Sequence, residues 1–517
     1  MKVLICASGS LGVLGHALAR QLQEAHGITE FAAQTFERSV ERLMLDQRDV
    51  AYTSVSHWEF PPHAHSAEAN RALAETKLDP SLLARFERDY GDDTLWSYLM
   101  TDRDVYVPTD GHPQYGKRGF RYDYDDLRKL LQLHFQRAES LLDEAQPDVI
   151  TCMLPGRLGI LALEAVAKQR GIARRFIARP RIGNLTTIGD SKNEGFSAIF
   201  DAFDELLAGR SSDAQADAEE YLARIQDSHP SYEGFKTWVV TAEHWRPSAG
   251  KTLARLVRRG RDVGRSTLDY AGGARDEKAI ATGPLDRVRA LATEEGRRLR
   301  LATGDWFSDM ESNEEFVLFP LHVEPEISLL LLGSHYTDQV HVIEEVARSI
   351  PSTMRLYVKE HPNMYAMRPM SFYARIKALP NVRLIHPGID SHDVIRRSQL
   401  VMTISGTVGL EAIFLGKRAV VLGDAFYRAF DPSMRAERIE DIAGVIRHAL
   451  AAPEPEASRV LAFATAIFEC SVPVDLRRLY RMSRQGNLDA IMQDEHLERL
   501  AGLLATNLPT SVGPATL

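Results

Sequence analysis

A chain of 517 residues is too long for one hydrophobic core, so two large units with a cleft between them are expected. Its 44% hydrophobic and 26% charged residues describe a globular protein rather than a disordered or fibrous one. Sixty-two Lys and Arg against 71 Asp and Glu leave a formal charge of -9, which argues against a general nucleic-acid binder whose affinity rests on phosphate neutralisation.

The run KVLICA at 2–7, the turn Ser8-Gly9-Ser10 and the stripe Leu11, Leu14, Leu18 and Leu22 predict strand, tight turn and helix. With a lone Lys2 before it and no A-x-A cleavage site after it, the run is expected to be a buried strand rather than a leader. Gly9, Gly12 and Gly15 are spaced GxxGxxG rather than GxGxxG, so no nicotinamide cofactor is expected. His57, His63 and His65 cluster in HWEFPPHAH without the further ligands that a metal site needs. Cys6, Cys152 and Cys470 lie far apart and lack CxxC spacing, so neither a disulfide framework nor a zinc site is expected, and a reducing cytoplasm suits the chain.

A second strand–helix unit starts at Pro147-Asp148, with an apolar run at 149–154, Gly156, a helix through Lys168 and Gly171 as its stop. This alternation implies a parallel α/β domain over residues 1–200. Residues 201–310 are rich in Ala, Arg, Glu and Asp and predict a helical insert or linker. Within it, Lys251, Arg255, Arg258, Arg259, Arg261 and Arg265 stud KTLARLVRRGRDVGR, which reads first as a solvated helix face and second as a basic patch suited to anionic lipid or a polyanionic glycan. No window reaches the roughly 18 uninterrupted apolar residues of a membrane-spanning helix, so any contact with the inner face of a membrane is peripheral.

Over 311–452 the alternation returns, with strands at 316–321, 355–358, 382–386, 400–404 and 419–423 and helices at 338–349, 371–378, 391–397 and 408–415. This predicts a second doubly wound domain, followed by helices and a frayed tail over 453–517.

Such sheets bind ligands at the carboxyl ends of their strands. Three post-strand loops carry chemistry. In Lys359-Glu360-His361-Pro362, Pro362 ends the ladder, His361 can donate to a phosphate oxygen and Lys359 adds positive charge. In Ser405-Gly406-Thr407 the hydroxyls can cap the following helix, and the glycine lets backbone N–H groups approach an anion. Glu411, one turn on, either takes ribose hydroxyls or stabilises the helix dipole. The third loop, residues 320–326, holds Glu324 and Glu326 beside prolines, where carboxylates can meet sugar hydroxyls.

The stretches FVLFPLHVEPEISLLLLGSHYTDQ, RLYVKEHP and LVMTISGTVGLEAIFLGKRAVVLGDAFY, in this order, resemble the capsule polysaccharide biosynthesis family, which includes the Kdo transferases of capsule initiation. The resemblance covers about residues 316–427. It implies a GT-B glycosyltransferase with a nucleotide-sugar donor such as CMP-Kdo as substrate and no separate cofactor. His361 and Pro362 match that family's HP motif; Ser405, Gly406 and Thr407 match its hydroxyl-rich motif. Nucleotide contact is therefore carried over to these residues and to Glu411, with a glycan or glycolipid acceptor on the N-terminal side and polysaccharide assembly machinery as a further partner.

The Glu-Asp-Gly-Phe stretch of the retaining Kdo-transferase modules is missing from the N-terminal half. Retention would require a carboxylate there. Asp190 and Glu194 in RPRIGNLTTIGDSKNEGF, read as a polar loop, and Asp102 in LMTDRDVY are the candidates, with Arg181 and Asn184 as helpers. The SGT–helix–LGK pattern also resembles UDP-N-acetylglucosamine 2-epimerases, and a non-catalytic assembly or export component is a third reading.

Overall fold

The computed structural model describes residues 1–7, 11–58, 67–91, 94–103, 105–108, 118–120, 122–153, 156–227, 257, 260–261 and 284–509. Gly9, His63, His65 and every named residue of the basic patch except Arg261 lie outside them.

The N-terminal half builds a seven-stranded sheet. Its strands are β1 (Lys2–Ala7), β2 (Glu30–Thr35), β3 (Tyr52–His57), β6 (Val149–Met153), β7 (Ala173–Ala178), β8 (Leu185–Gly189) and β14 (Val472–Pro473). A small hairpin, β4 (Tyr106–Pro108) and β5 (Arg118–Phe120), stands apart from it. The sheet order is β14-β8-β7-β6-β1-β2-β3, with β7, β6, β1, β2 and β3 parallel and β8 and β14 antiparallel to their neighbours.

Strand alternation sorts β1 between two cores. Val3 and Ile5 face one cluster with Leu14, Leu18 and Leu22, while Leu4 and Cys6 face another with Leu130, Phe135 and Leu161. Gly15 lets the first helix sit tightly on β1, because a Cβ there would lie 3.2 Å from both Ala7 and Ile5. The fingerprint-like glycine thus serves helix–strand packing.

A five-stranded parallel sheet follows, from β9 (Phe316–Pro320), β10 (Arg355–Lys359), β11 (Val382–Ile385), β12 (Leu400–Thr403) and β13 (Ala419–Val421). Its order is β11-β10-β9-β12-β13. Here too the faces alternate: Val317 and Phe319 join one core, Phe316 and Leu318 the other. Asp338 and Asp390 cap the helices Gln339–Ser349 and Ser391–Arg397 by accepting first-turn N–H groups, which fixes where these crossovers begin. Two Rossmann-like α/β units in one chain give the GT-B architecture expected above.

Three features depart from the sequence reading. The stretch read as a polar loop after β7 contains β8, which folds back antiparallel on β7. The predicted helical insert begins inside a core: helices Ser197–Leu207 and Gln215–Asp227 pack with Ala457–Glu469 in the cluster beneath the second sheet. The terminal helices Leu476–Arg484 and Glu495–Thr506 return to the first unit and cover its sheet beside helix Gly12–His26. Over the described residues the chain passes from the first unit to the second and back, and its last helices complete a core laid down by its first strand.

Leu500 is fully buried in that shared core. Leu500→Ala is expected to cost about 2–5 kcal/mol of stability. Urea unfolding followed by circular dichroism checks this, and an unchanged midpoint would contradict the assignment of the terminal helix to the first core.

Candidate functional site

In the second sheet the chain runs β9 to β10 to β11 on one side, then crosses back to place β12 and β13 on the other. The topological switch lies between β9 and β12, which makes the carboxyl ends of these strands the candidate ligand crevice. The loops after β9 and β12 are joined directly. Ser405 donates its backbone N–H to His322 Nε2 at 3.1 Å. With Nε2 accepting, the neutral ring carries its proton on Nδ1. Burial first, then the neighbouring His361 and the guanidinium charges of Arg181 and Arg368, push the His322 pKa down to about 3, so it stays neutral.

Gly406 is required by this closeness. A Cβ at this position would lie 3.0 Å from Thr403 Oγ1 and 3.2 Å from His322 Nε2. Gly406 N–H donates to Thr403 Oγ1 at 3.1 Å, and the Tyr427 hydroxyl donates to the Gly406 carbonyl. Ser405, expected to touch the ligand, is fully buried and spends its hydroxyl on the Ser328 carbonyl. Its side chain holds the loop, which leaves half-buried Gly406 and Thr407, at the start of helix Thr407–Phe414, on the cleft side.

The loop after β10 is tied in by a buried guanidinium. Arg368, 2% exposed, donates to the His322 carbonyl at 2.5 Å and to Glu324 at 2.6 Å, and pairs with Glu360 at 3.4 Å. Glu360 is fully buried and also accepts from Tyr373 Oη at 2.8 Å and from the His361 N–H at 2.6 Å. Arg368 thus fixes the post-β9 and post-β10 loops to each other.

His361 Nδ1 accepts the Asn363 N–H at 3.1 Å, so the neutral ring presents Nε2–H as its donor at the end of β10. Burial, aided by Arg368 and Lys359, pushes its pKa down to about 3, and it acts as a neutral donor rather than a cation. Pro362 opens the following 3-10 turn. Lys359 lies beneath the cleft wall, 5% exposed, with Nζ donating to the Pro387 carbonyl at 3.3 Å. Burial lowers its pKa to about 8 against the opposing pull of Asp390, Glu360 and Glu411. Glu411 Oε2 is 3.7 Å from His392 Nε2. Glu326 accepts from Ser328 Oγ at 2.9 Å, just before helix Ile327–Leu330.

From the first unit, the loops after β7 and β8 close on this crevice. Arg181 donates to the Ser405 carbonyl and to Glu194 Oε1, both at 2.5 Å, and its guanidinium lies 5.8 Å from the Tyr427 ring centroid. Glu194 Oε2 accepts the Phe426 N–H at 3.2 Å. Asn193 donates to Asp424 at 2.9 Å.

The other two carboxylate candidates are placed differently. Asp190 stands at the start of the same loop, where its carboxylate accepts from Ser197 Oγ. Asp102 is a correction: it is fully buried in the first unit and accepts the Leu158 N–H at 2.7 Å, at the start of helix Leu158–Gln169. Closed in on all sides, it has no surface to offer a sugar. His322, Glu360 and Arg368 went unsingled in the sequence, although the rule that picks out His361, a polar residue just past a strand, also picks out His322. Among the described residues no group of three or more His, Cys, Asp or Glu is arranged to hold a metal, and no helix is long and apolar enough to cross a membrane.

Residues 288–430, which include His322, His361, Arg368 and Ser405, match the model of the capsule polysaccharide biosynthesis protein family. Protein FixF of Sinorhizobium fredii (strain NBRC 101917 / NGR234) is 28% identical over 132 residues, covering 25% of this chain and 31% of that protein. The chain thus spans under a third of that relative's length. Among solved structures, the beta Kdo 2,4 transferase of Thermosulfurimonas dismutans KpsC aligns with a TM-score of 0.32 at 14% identity, over 61% of this chain and 78% of that one. UDP-GlcNAc 2-epimerase of Neisseria meningitidis aligns with a TM-score of 0.21 at 12% identity, over 98% of both chains.

Removing the guanidinium at the centre of the loop network leaves Glu360 buried without its ion-pair partner. Arg368→Met is expected to cost about 3–5 kcal/mol. Its unfolding midpoint in urea, compared with that of the parent, is the check.

Proposed function

With residues 288–430 matching the capsule polysaccharide biosynthesis family and a second Rossmann-like unit set against them, we propose that the chain is a glycosyltransferase of bacterial surface-polysaccharide synthesis. It takes a nucleotide-activated sugar in the crevice between β9 and β12 and transfers that sugar to a glycan or glycolipid held towards the first unit. The observation that carries this reading is the join at Ser405, where a helix start and a neutral histidine of one unit meet an arginine of the other.

In this reading the donor phosphate lies against the start of helix Thr407–Phe414, where backbone N–H groups and the helix dipole favour an anion. His361 Nε2–H donates to a phosphate oxygen, and Glu411 takes ribose hydroxyls. Pro362 and Lys359 shape and charge the same end of the crevice, and Glu326 meets the sugar. Arg181 neutralises the departing phosphate as the glycosidic bond breaks. Glu194, with both oxygens engaged, positions Arg181 rather than attacking the sugar; Asp190 is then the carboxylate left to act from that loop. A CMP-activated acidic sugar such as CMP-Kdo is the donor suggested by the family.

Calorimetric titration with CMP, UDP, CDP and GDP tests the reading. One nucleotide is expected to bind, and His361→Ala is expected to weaken it by roughly 10- to 100-fold, the range for a hydrogen bond to a charged group. Unchanged binding in that variant, or epimer formation from UDP-GlcNAc without an acceptor, would overturn it.

Lys359 gives the donor site a pH dependence. Its ammonium is charged below about pH 8 and neutral above. An anion nearby favours the charged form, so above pH 7.5, where the nucleotide phosphate is already fully ionised, affinity is expected to fall as pH rises through 8. The histidines, neutral across this range, contribute nothing to that change. The same titration on Lys359→Met should be flat above pH 7.5.

A further inference from the structure

Helix Leu95–Thr101 of the first unit does different work on its two sides. Leu95, Tyr98 and Leu99 are buried in the core of that unit. Thr101 Oγ1 reaches the Leu330 carbonyl at 3.4 Å, in helix Ile327–Leu330 just after Glu326, and the Lys192 ammonium stands 4.8 Å from the Tyr98 ring centroid. These contacts tie the helix to the loops around the crevice. Trp96 and Met100, one turn apart, take the outer side, Trp96 half-buried and Met100 exposed.

Three further aromatic side chains gather on Trp96. The small hairpin pairs Tyr106 with Phe120, ring centroids 5.2 Å apart, and Phe120 meets the Trp96 ring edge-on at 6.4 Å. Tyr124, the first residue of helix Tyr124–Ala145, stacks on Trp96 at 5.8 Å with 22° between the rings. A two-stranded hairpin is marginal in water unless something packs against it, and here Trp96 does so. The cluster is nevertheless left open to solvent: Phe120 is exposed and Tyr124 is 63% exposed. Apolar rings anchored at their base and kept in water forgo the free energy of burial, which is the mark of a binding surface.

Area, charge and ring chemistry together select the occupant. A stable protein interface takes about 20–30 residues a side, and five side chains fall far short of that. The start of helix Tyr124–Ala145 carries Asp123, Asp125 and Asp126; Arg128 pairs with Asp125 at 3.3 Å and Lys129 with Asp126 at 3.1 Å. This stretch therefore offers no surplus of positive charge to draw an anionic bilayer. A pyranose ring, by contrast, has a face of C–H groups that suits the negative face of an aromatic ring, and a rim of hydroxyls that needs donors and acceptors beside it. The Arg128 guanidinium, 5.0 Å from the Tyr124 ring centroid, and the exposed Asp125 carboxylate supply both.

We propose that Trp96, Met100, Tyr106, Phe120 and Tyr124 form a platform that holds neutral pyranose units of a glycan chain by stacking, away from the reacting end. The inference rests on the transferase reading for the source of that chain. Stacking here is separable from donor binding, because none of these residues belongs to the nucleotide site.

The test is titration of the full chain with cellohexaose and, separately, with maltohexaose, two neutral pyranose chains of different shape, followed by calorimetry. At least one is expected to bind, with the same affinity at low and at high salt, since no charge is neutralised. Trp96→Ala and Tyr124→Ala are each expected to bind it about 3- to 10-fold more weakly, the worth of one stacked ring. Tyr124→Ala trims an exposed ring and decides the matter where Trp96→Ala disturbs the fold. His361→Ala should bind the hexasaccharide as the parent does. Neither hexasaccharide binding, or equal binding in Tyr124→Ala, would overturn the proposal. So would capture by phosphatidylglycerol vesicles, or dimerisation in analytical ultracentrifugation, that Tyr124→Ala abolishes, since the surface would then belong to a membrane or to a second copy. Hexasaccharide binding without binding of any nucleotide would sink the transferase reading and leave the platform standing.

Discussion

A guanidinium taken out of water must be met by acceptors, and Arg181 finds them on both units: Glu194 beside it and the Ser405 carbonyl across the gap. Arg181 and Glu194 are both held with positive φ, at 65° and 53°. Left-handed backbone costs a non-glycine residue about 1–2 kcal/mol. Two such residues ending in one buried ion pair is the pattern of a junction that the surrounding structure determines. What lies on either side of the crevice is set by this contact.

From Ser405 the same chain of bonds continues inward. Ser405 N–H reaches His322, the His322 carbonyl reaches Arg368, and Arg368 reaches Glu324 and Glu360. Ser405, His322, Arg368 and Glu360 are buried and Glu324 half-buried, and each is needed by the next, so the three loops form one rim rather than three independent ones. Groups that need not reorganise on meeting charge are worth most in a site closed from water. The neutral state of His322 and His361 belongs to the same design: burial among cations removes their protons and leaves each with one N–H to give.

The second sheet was legible because its strands are largely apolar runs, separated by helices of which two start at aspartate caps. The first sheet was less so. Tyr52–His57 is polar along much of its length, and β8 lies in a stretch whose Asn, Gly, Asp and Ser content reads as loop. Its strand character comes from pairing with β7, a partner that the local composition does not announce. At the candidate site, the place of His361, Gly406 and Thr407 just past a strand was legible. Ser405 was expected to meet a ligand, and only the packed structure shows its hydroxyl turned to Ser328. Asp102 was legible as a carboxylate and illegible as a buried one.

Strand and helix periodicity, the prolines and glycines at strand ends, and the order of the three loops are local properties, and the sequence by itself determined them together with the class of fold they build. Contacts between residues hundreds of positions apart are not local, and only the tertiary structure decided these. It brought Arg181 to Ser405, Leu500 beneath β1 and Thr101 to Leu330, because each depends on where the chain crosses between units and not on what its neighbours are.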